Sequence, residues 1–120
     1  MKKNPKVLIV DDEYDFCRSF KRLLEKEGYD VTITTNSEHA LDLIKEEKPD
    51  VVTLDIRMPG LSGYEVLEDI KFNKQTMKII VITSIDRPDM EDSLIRKGAD
   101  IVFNKPVNLE KIKEYIRGNV

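Results

Sequence analysis

Residues Lys6–Gly28, KVLIVDDEYDFCRSFKRLLEKEG, contain the pattern that decides the fold. Lys6–Val10 is a short, mostly β-branched run that stops at Asp11 and Asp12. From Tyr14 to Glu27 the period changes: Phe16, Phe20, Leu23 and Leu24 recur at helical spacing, and Gly28 closes the segment. A strand feeding a helix through a charged turn is one βα unit, and four more follow. Asp30–Thr34 alternates polar and apolar residues as a half-exposed edge strand does. Ser37 is then expected to cap a helix carrying Ala40, Leu41, Leu43 and Ile44, which Pro49 ends. Asp50–Leu54 reads as a third strand, followed by a loop containing Met58-Pro59-Gly60 and a helix with Val66, Leu67 and Ile70 inward. Lys78–Ile82 is a fourth strand. After it, Pro88 sits in a first helical turn, Met90, Leu94 and Ile95 make an apolar stripe, and Gly98 ends the helix. Ala99–Phe103 is the last strand, and Leu109, Ile112 and Ile116 mark a final helix that stops near Gly118.

Five strands alternating with five helices imply a parallel sheet covered on both faces, because parallel strands need crossover connections. The nearly all-apolar strands 1, 3 and 4 are expected at the centre and strand 2 at an edge. That ranking fits an α/β, doubly wound five-stranded sheet of order 2-1-3-4-5. The length agrees: 120 residues, 40% hydrophobic and 36% charged, are one domain able to bury a core without cross-links, and the lone Cys17 can form none internally. Twenty basic against 23 acidic residues give a net charge of -3, which predicts no direct nucleic-acid partner. The longest apolar runs, Val7–Val10 and Ile79–Ile82, are too short for a bilayer, and Met1–Lys6 lacks the apolar stretch of a signal peptide. No membrane partner is expected, and a cytoplasmic location is.

In an open α/β sheet, ligands bind beyond the carboxyl ends of the strands, where the strand order reverses. Strand 1 ends in Asp11-Asp12, strand 3 in Asp55, strand 4 in Thr83-Ser84 and strand 5 in Asn104-Lys105-Pro106, while strand 2 ends in the uncharged Thr34 and Thr35. Three carboxylates, a hydroxyl and an ammonium are therefore expected on one edge. Carboxylates about 4 Å apart repel by several kcal/mol per pair at an effective dielectric of roughly 20, so they need a cation. Oxygen donors without His or thiolate favour a hard ion, and a small open site suits Mg2+ better than Ca2+. With that charge offset, one Asp can attack phosphorus while Lys105 and Thr83 bind oxygens of the transferred group. The reaction class is phosphoryl transfer onto a carboxylate. Taken singly, the residues have plainer roles: Asp11 or Asp12 a helix cap, Asp55 a turn residue, Thr83 a cross-strand partner, Lys105 a solvated cation. Their joint placement is what favours chemistry.

Asp11-Asp12 after an apolar strand, Leu54-Asp55-Ile-Arg-Met-Pro-Gly-Leu-Ser-Gly63, Thr83 after Ile79–Ile82, Gly98-Ala-Asp100 and Lys105-Pro106 together resemble the receiver (CheY-like) domain of two-component response regulators, from Lys6 to about Arg117. The resemblance implies a flavodoxin-like fold and a part in phosphorelay signal transduction. Asp55 would be the phosphoacceptor, served by a histidine kinase or a histidine phosphotransfer protein. Asp12 and Asp55 would coordinate Mg2+ (or Mn2+), Asp11 would act mainly through bound water, and the backbone carbonyl of Arg57 would complete the protein ligands. Thr83 would bond a phosphoryl oxygen. Lys105 would pair with the phosphoryl group and precede a cis bond to Pro106, which X-Pro bonds adopt at small cost. Gly63, eight residues after Asp55, would let the loop turn into helix 3. Phosphorylation would shift a two-state equilibrium of the helix 4, strand 5, helix 5 face toward a downstream effector protein. Such a domain is a regulatory phosphoacceptor that assists its own phosphotransfer and dephosphorylation, and not an enzyme.

Some residues depart from the family pattern. Ser84 stands where receivers usually carry Ala, a change neutral for packing. Val102 stands where many carry a switching aromatic, and by strand alternation Phe103 points to the opposite face. Output is therefore expected to rely more on the loop after Thr83 and on helix 4. Ile85 and the long Arg57 side chain at the mouth should hinder attacking water and give slow self-dephosphorylation. His39, the only histidine, opens helix 2 away from the site. Cys17 shares a helix face with Phe20 and Leu24 and should flank the core. Lys45–Lys48 should be a solvated charge run, and Lys111, Lys113 and Arg117 could meet an acidic partner. A haloacid-dehalogenase-like phosphatase needs a second Asp two positions after the nucleophile, and this chain has Arg57 there. An FMN carrier needs a phosphate loop that Asp11-Asp12-Glu13 would repel, and a degenerate receiver would lack acceptor-site residues that are all present here. One receiver domain, core about residues 6–117, is expected to fill residues 1–120 without an output domain. A stand-alone receiver is favoured slightly over one excised from a larger response regulator or hybrid histidine kinase.

Overall fold

The computed structural model describes residues 4–57, 63–72, 77–85 and 87–120; the expected loop residues Met58, Pro59 and Gly60 lie outside them. The chain runs β1 (Lys6–Val10), α1 (Tyr14–Lys26), β2 (Asp30–Thr34), α2 (Ser37–Glu47), β3 (Val51–Asp55), α3 (Gly63–Phe72), β4 (Lys78–Thr83), α4 (Pro88–Arg96), β5 (Ile101–Asn104) and α5 (Leu109–Asn119). The five strands are parallel in the order β2-β1-β3-β4-β5, as expected. Alternation along each strand sorts side chains to two faces. Leu8, Val10, Val52, Leu54, Ile79 and Val81 join one buried cluster with residues of α2, α3 and α4. Val7, Ile9, Val51, Ile80 and Ile82 join the other, with Cys17, Phe20 and Leu24 of α1 and Ile112 and Ile116 of α5. Both faces of the central strands are thus dry, which is why β1, β3 and β4 read as nearly continuous apolar runs, with Thr53 the one polar residue inside β3.

The register brings the strand ends level. Val10 lies opposite Thr34 and Leu54, Asp55 opposite Ile82, and Thr83 opposite Asn104. The helices end where the sequence has the residues for it: Gly28 and Gly98 take positive φ just past α1 and α4, a conformation that side chains with a Cβ resist.

Several boundaries differ from expectation. Asn36, not Ser37, caps α2: its side chain accepts from the backbone N–H of Glu38 and His39, and Ser37 becomes the first, buried helical residue. Both residue types are good caps, and the first of the pair wins because its backbone is still extended. β3 and β5 start later than expected because Asp50 and Asp100 turn their carboxylates back to the backbone N–H of Lys6 and Ile79, each at 2.8 Å. Asp55 and Thr83 complete their strands instead of following them. Ile95 is 43% exposed, so Met90 and Leu94 carry the apolar face of α4. Gly118 lies inside α5. Lys113 and Arg117 lie beside Glu27, at 2.9 and 3.5 Å, and tie α5 to the end of α1. Cys17 is fully buried within the core; its Sγ donates to the Asp11 carbonyl, and burial pushes its thiol up to about 12.

Candidate functional site

The chain leaves β1 at Asp11, whose backbone N–H still bonds to the Thr34 carbonyl of the neighbouring strand. One carboxylate oxygen, Oδ1, accepts from the backbone N–H of Glu13 at 2.9 Å, a turn closed by the Asp itself, and the other, Oδ2, meets Lys105 Nζ at 2.9 Å. Asp12, next in the chain, is exposed. On β3, Asp55 is only 5% exposed; its Oδ1 accepts from the backbone N–H of Arg57 at 3.1 Å, and its Oδ2 lies 3.6 Å from Lys105 Nζ. Carboxylate oxygens of Asp11, Asp12 and Asp55 lie within 4.8 Å of one another.

Lys105 follows β5 and is linked to Pro106 by a cis peptide bond. Its backbone N–H bonds to the Thr83 carbonyl at 2.8 Å, which anchors the stem that sends its ammonium into the acidic cluster. Thr83 is buried, and its Oγ1 accepts from the backbone N–H of Ile85 at 3.1 Å. Half-buried Ile85 in turn accepts, through its carbonyl, from Asn104 Nδ2 at 2.8 Å, joining the loop after β4 to the end of β5. Arg57 and Ser84 are exposed. His39 is exposed near the start of α2. Val102 packs with the α4 side of the sheet, while Phe103 turns to the opposite face and meets Tyr115 edge-on at 6.5 Å. A cavity of about 120 Å³ remains between Thr83, Ile85, Pro88, Met90, Val102 and Asn104.

Two neighbours of the ammonium go beyond what the sequence pattern indicates. Glu13 Oε1 approaches Lys105 Nζ to 2.6 Å, and the Phe16 ring centroid lies 5.0 Å from it. The only local signal for Glu13 is a third acid directly after Asp11-Asp12. Phe16 carries the signal of a helix-core residue, and its three-residue spacing from Glu13 places both at the site.

Burial sets the electrostatics. It raises Asp55 to about 6, with the Asp11 charge adding to the effect against the Arg57 N–H and Lys105. It also raises Asp11, opposed by the hydrogen bond from Lys105. Burial alone would lower the Lys105 ammonium, but bonds to Glu13 and Asp11 and the nearby charges hold it above its usual value. Four carboxylates, those of Asp11, Asp12, Glu13 and Asp55, therefore gather about one ammonium, with no nitrogen or sulfur donor in the Asp11, Asp12, Asp55 cluster. Such a donor set fits a hard divalent cation, which would offset the charge that Lys105 leaves.

The family model for the response regulator receiver domain matches residues 7–117. Sporulation initiation phosphotransferase F of Bacillus subtilis (strain 168) is 33% identical over 114 residues, covering 95% of this chain and 92% of that protein. A CheY-like response regulator receiver domain protein from Methanospirillum hungatei JF-1 superposes with a TM-score of 0.89 at 32% identity, over 96% of this chain and 92% of that one. A response regulator protein from Burkholderia pseudomallei, solved with a phosphorylated aspartic acid, calcium ion and citrate, superposes with a TM-score of 0.84 at 25% identity, over 96% and 72% of the two chains.

Proposed function

Because the chain belongs to the response regulator receiver domain family, the regulatory phosphoacceptors of two-component phosphorelays, we propose that Asp55 accepts the phosphoryl group, from a phosphohistidine on a histidine kinase or histidine phosphotransfer protein. The place of its carboxylate carries this reading. Asp55 is the buried acid at the end of the central strand, with an ammonium 3.6 Å away and two further carboxylates beside it. The phosphorylated aspartic acid of the Burkholderia relative supports it.

An Asp55 oxygen forms the O–P bond as the donor's P–N bond breaks, and the electron pair of that bond leaves on the imidazole nitrogen. Burial raises the Asp55 carboxyl to about 6 when no metal is bound, a strain on its charge that a bound cation would relieve. Asp11, Asp12, Asp55 and the Arg57 carbonyl would hold Mg2+, or Mn2+, which when bound offsets the charge of the carboxylates and of the phosphoryl oxygens. Lys105 pairs with those oxygens. Thr83 donates its hydroxyl to one of them, and because Thr83 Oγ1 holds Ile85 and Ile85 holds Asn104, the pull passes to the loop before α4 and to the end of β5. The cavity beside Val102 gives that loop room to move, so the α4, β5, α5 face is the one that changes for a downstream effector.

Acetyl phosphate in the presence of Mg2+ should add one phosphoryl group to the parent protein by intact mass and none to Asp55→Ala; an equal gain in the variant refutes the assignment. Ile85, two residues past Thr83, offers no polar atom to orient water in its side chain. Ile85→Asn should hasten decay of the phosphorylated protein by roughly 3–10-fold, a barrier change of about 1 kcal/mol. An unchanged or slower decay would show that Ile85 does not limit access of water.

A further inference from the structure

The shortest contact of the Lys105 ammonium is neither of the two buried carboxylates. Glu13 Oε1 holds it at 2.6 Å, against 2.9 Å to Asp11 Oδ2 and 3.6 Å to Asp55 Oδ2. The Glu13 side chain is 63% exposed whereas that of Lys105 is 15% exposed, so the acid reaches in from the solvent to an ammonium already held within the site. Its starting point is set by Asp11, whose Oδ1 accepts from the Glu13 backbone N–H. Glu13 occupies the N-cap position of α1 without any side-chain capping bond, so its carboxylate does not serve the helix.

We infer that Glu13 is a positioning residue: in the unphosphorylated protein its carboxylate keeps the Lys105 ammonium drawn away from Asp55, and phosphoryl acceptance requires Lys105 to exchange Glu13 for the incoming oxygens. This rests on Asp55 being the acceptor. The phosphoryl group bound to Asp55 and the Glu13 carboxylate compete for the same ammonium, and the exposed carboxylate is the partner more easily given up because water solvates it at once. In the forward direction the exchange is part of the barrier. When the acyl phosphate is hydrolysed, Glu13 recaptures the ammonium.

The experiment follows the rate of Asp55 phosphorylation by acetyl phosphate and Mg2+ in the parent, Glu13→Gln, Glu13→Asp and Asp15→Asn. Removing the charge at Glu13 should raise the rate two- to fivefold, the scale of a solvent-exposed ion pair. Glu13→Asp keeps the charge within reach of the flexible lysine stem, and Asp15→Asn removes a neighbouring exposed charge that has no contact with Lys105; both should stay at the parental rate. The unfolding midpoint of Glu13→Gln should stay close to that of the parent, so a change in rate is not a change in folded fraction. A Glu13→Gln rate equal to or below the parent, or an equal gain in Glu13→Asp or Asp15→Asn, overturns the inference, the last by pointing to general repulsion of an anionic donor. A parent protein that gains no phosphoryl group on Asp55 overturns instead the assignment on which it rests.

Discussion

Asp55→Asn is expected to make the protein more stable at pH 7.5 by about 2 kcal/mol, raising its unfolding midpoint by roughly 6–10 °C, while abolishing phosphoryl acceptance. Burial holds the Asp55 carboxyl at about 6, against an ordinary value of 3.8. A rise of that size corresponds to about 3 kcal/mol of free energy by which the folded state disfavours the charged form. Asp55 is 5% exposed, so solvent screening removes little of it. The Asn oxygen still accepts from the Arg57 N–H, and Asp11 loses a repulsive neighbour. Set against these gains, the new amide lies near the Lys105 ammonium, which trims the net to about 2 kcal/mol.

The sign of the pH dependence follows from the direction in which burial moves the carboxyl. A carboxyl raised in the folded state contributes its stability in full below the unfolded value near 4, and loses it as pH rises through about 6. The gap between parent and variant should therefore be widest above pH 7 and close below about pH 4.5. Millimolar Mg2+ should narrow it from the other side by stabilising the parent alone. Urea unfolding of both proteins at pH 4.5 and 7.5, in chelator and then in Mg2+, measures all three. A variant no more stable than the parent at pH 7.5, or a gap that persists unchanged at pH 4.5, would show that the Asp55 charge is not strained by its burial.

The same residues show why some of the molecule is legible in the sequence and some is not. The five strands announce themselves because both sheet faces are covered, so Val7–Val10 and Ile79–Ile82 have to be apolar throughout and to stop at the carboxyl edge of the sheet, where the buried polar residues Asp11 and Thr83 follow. Asp11, Asp55, Thr83 and Lys105 are legible for the same reason: each stands at such a stop, and a parallel sheet brings the stops to one edge. Contacts between residues distant in the chain leave no local trace. Glu13 and Lys105 are 92 positions apart, and Glu27 gathers Lys113 and Arg117 from α5. Choices between equivalent neighbours are equally hidden, as with the cap at Asn36. The stripe expected on α4 fails at Ile95 because only Met90 and Leu94 face the sheet over this short helix.

Gly63→Ala is expected to destabilise the protein by about 2–4 kcal/mol, although a glycine beginning a helix would ordinarily gain up to about 1 kcal/mol from the same change. Gly63 opens α3, and its N–H bonds to the Ile56 carbonyl at 3.0 Å, pressing the helix start against the chain just past Asp55. A Cβ at Gly63 would stand 2.5 Å from Ile56 Cα and 2.6 Å from the Asp55 carbonyl oxygen. Those are backbone atoms. No rotamer change relieves the overlap, so either the start of α3 lifts off or the end of β3 shifts, and Ile56, buried in the core beside Leu54 and Val66, resists the second. The overlap therefore outweighs helix propensity. It also acts on the site, because the segment the added Cβ presses on, Asp55 and Ile56, runs directly into the Arg57 N–H that holds the Asp55 carboxylate. The variant should show a lower urea midpoint and, where it remains folded, slower phosphorylation by acetyl phosphate. Gly63→Ser should be at least as harmful, since it carries the same Cβ. A midpoint equal to or above that of the parent would mean that α3 does not bear on β3 as closely as the backbone places it.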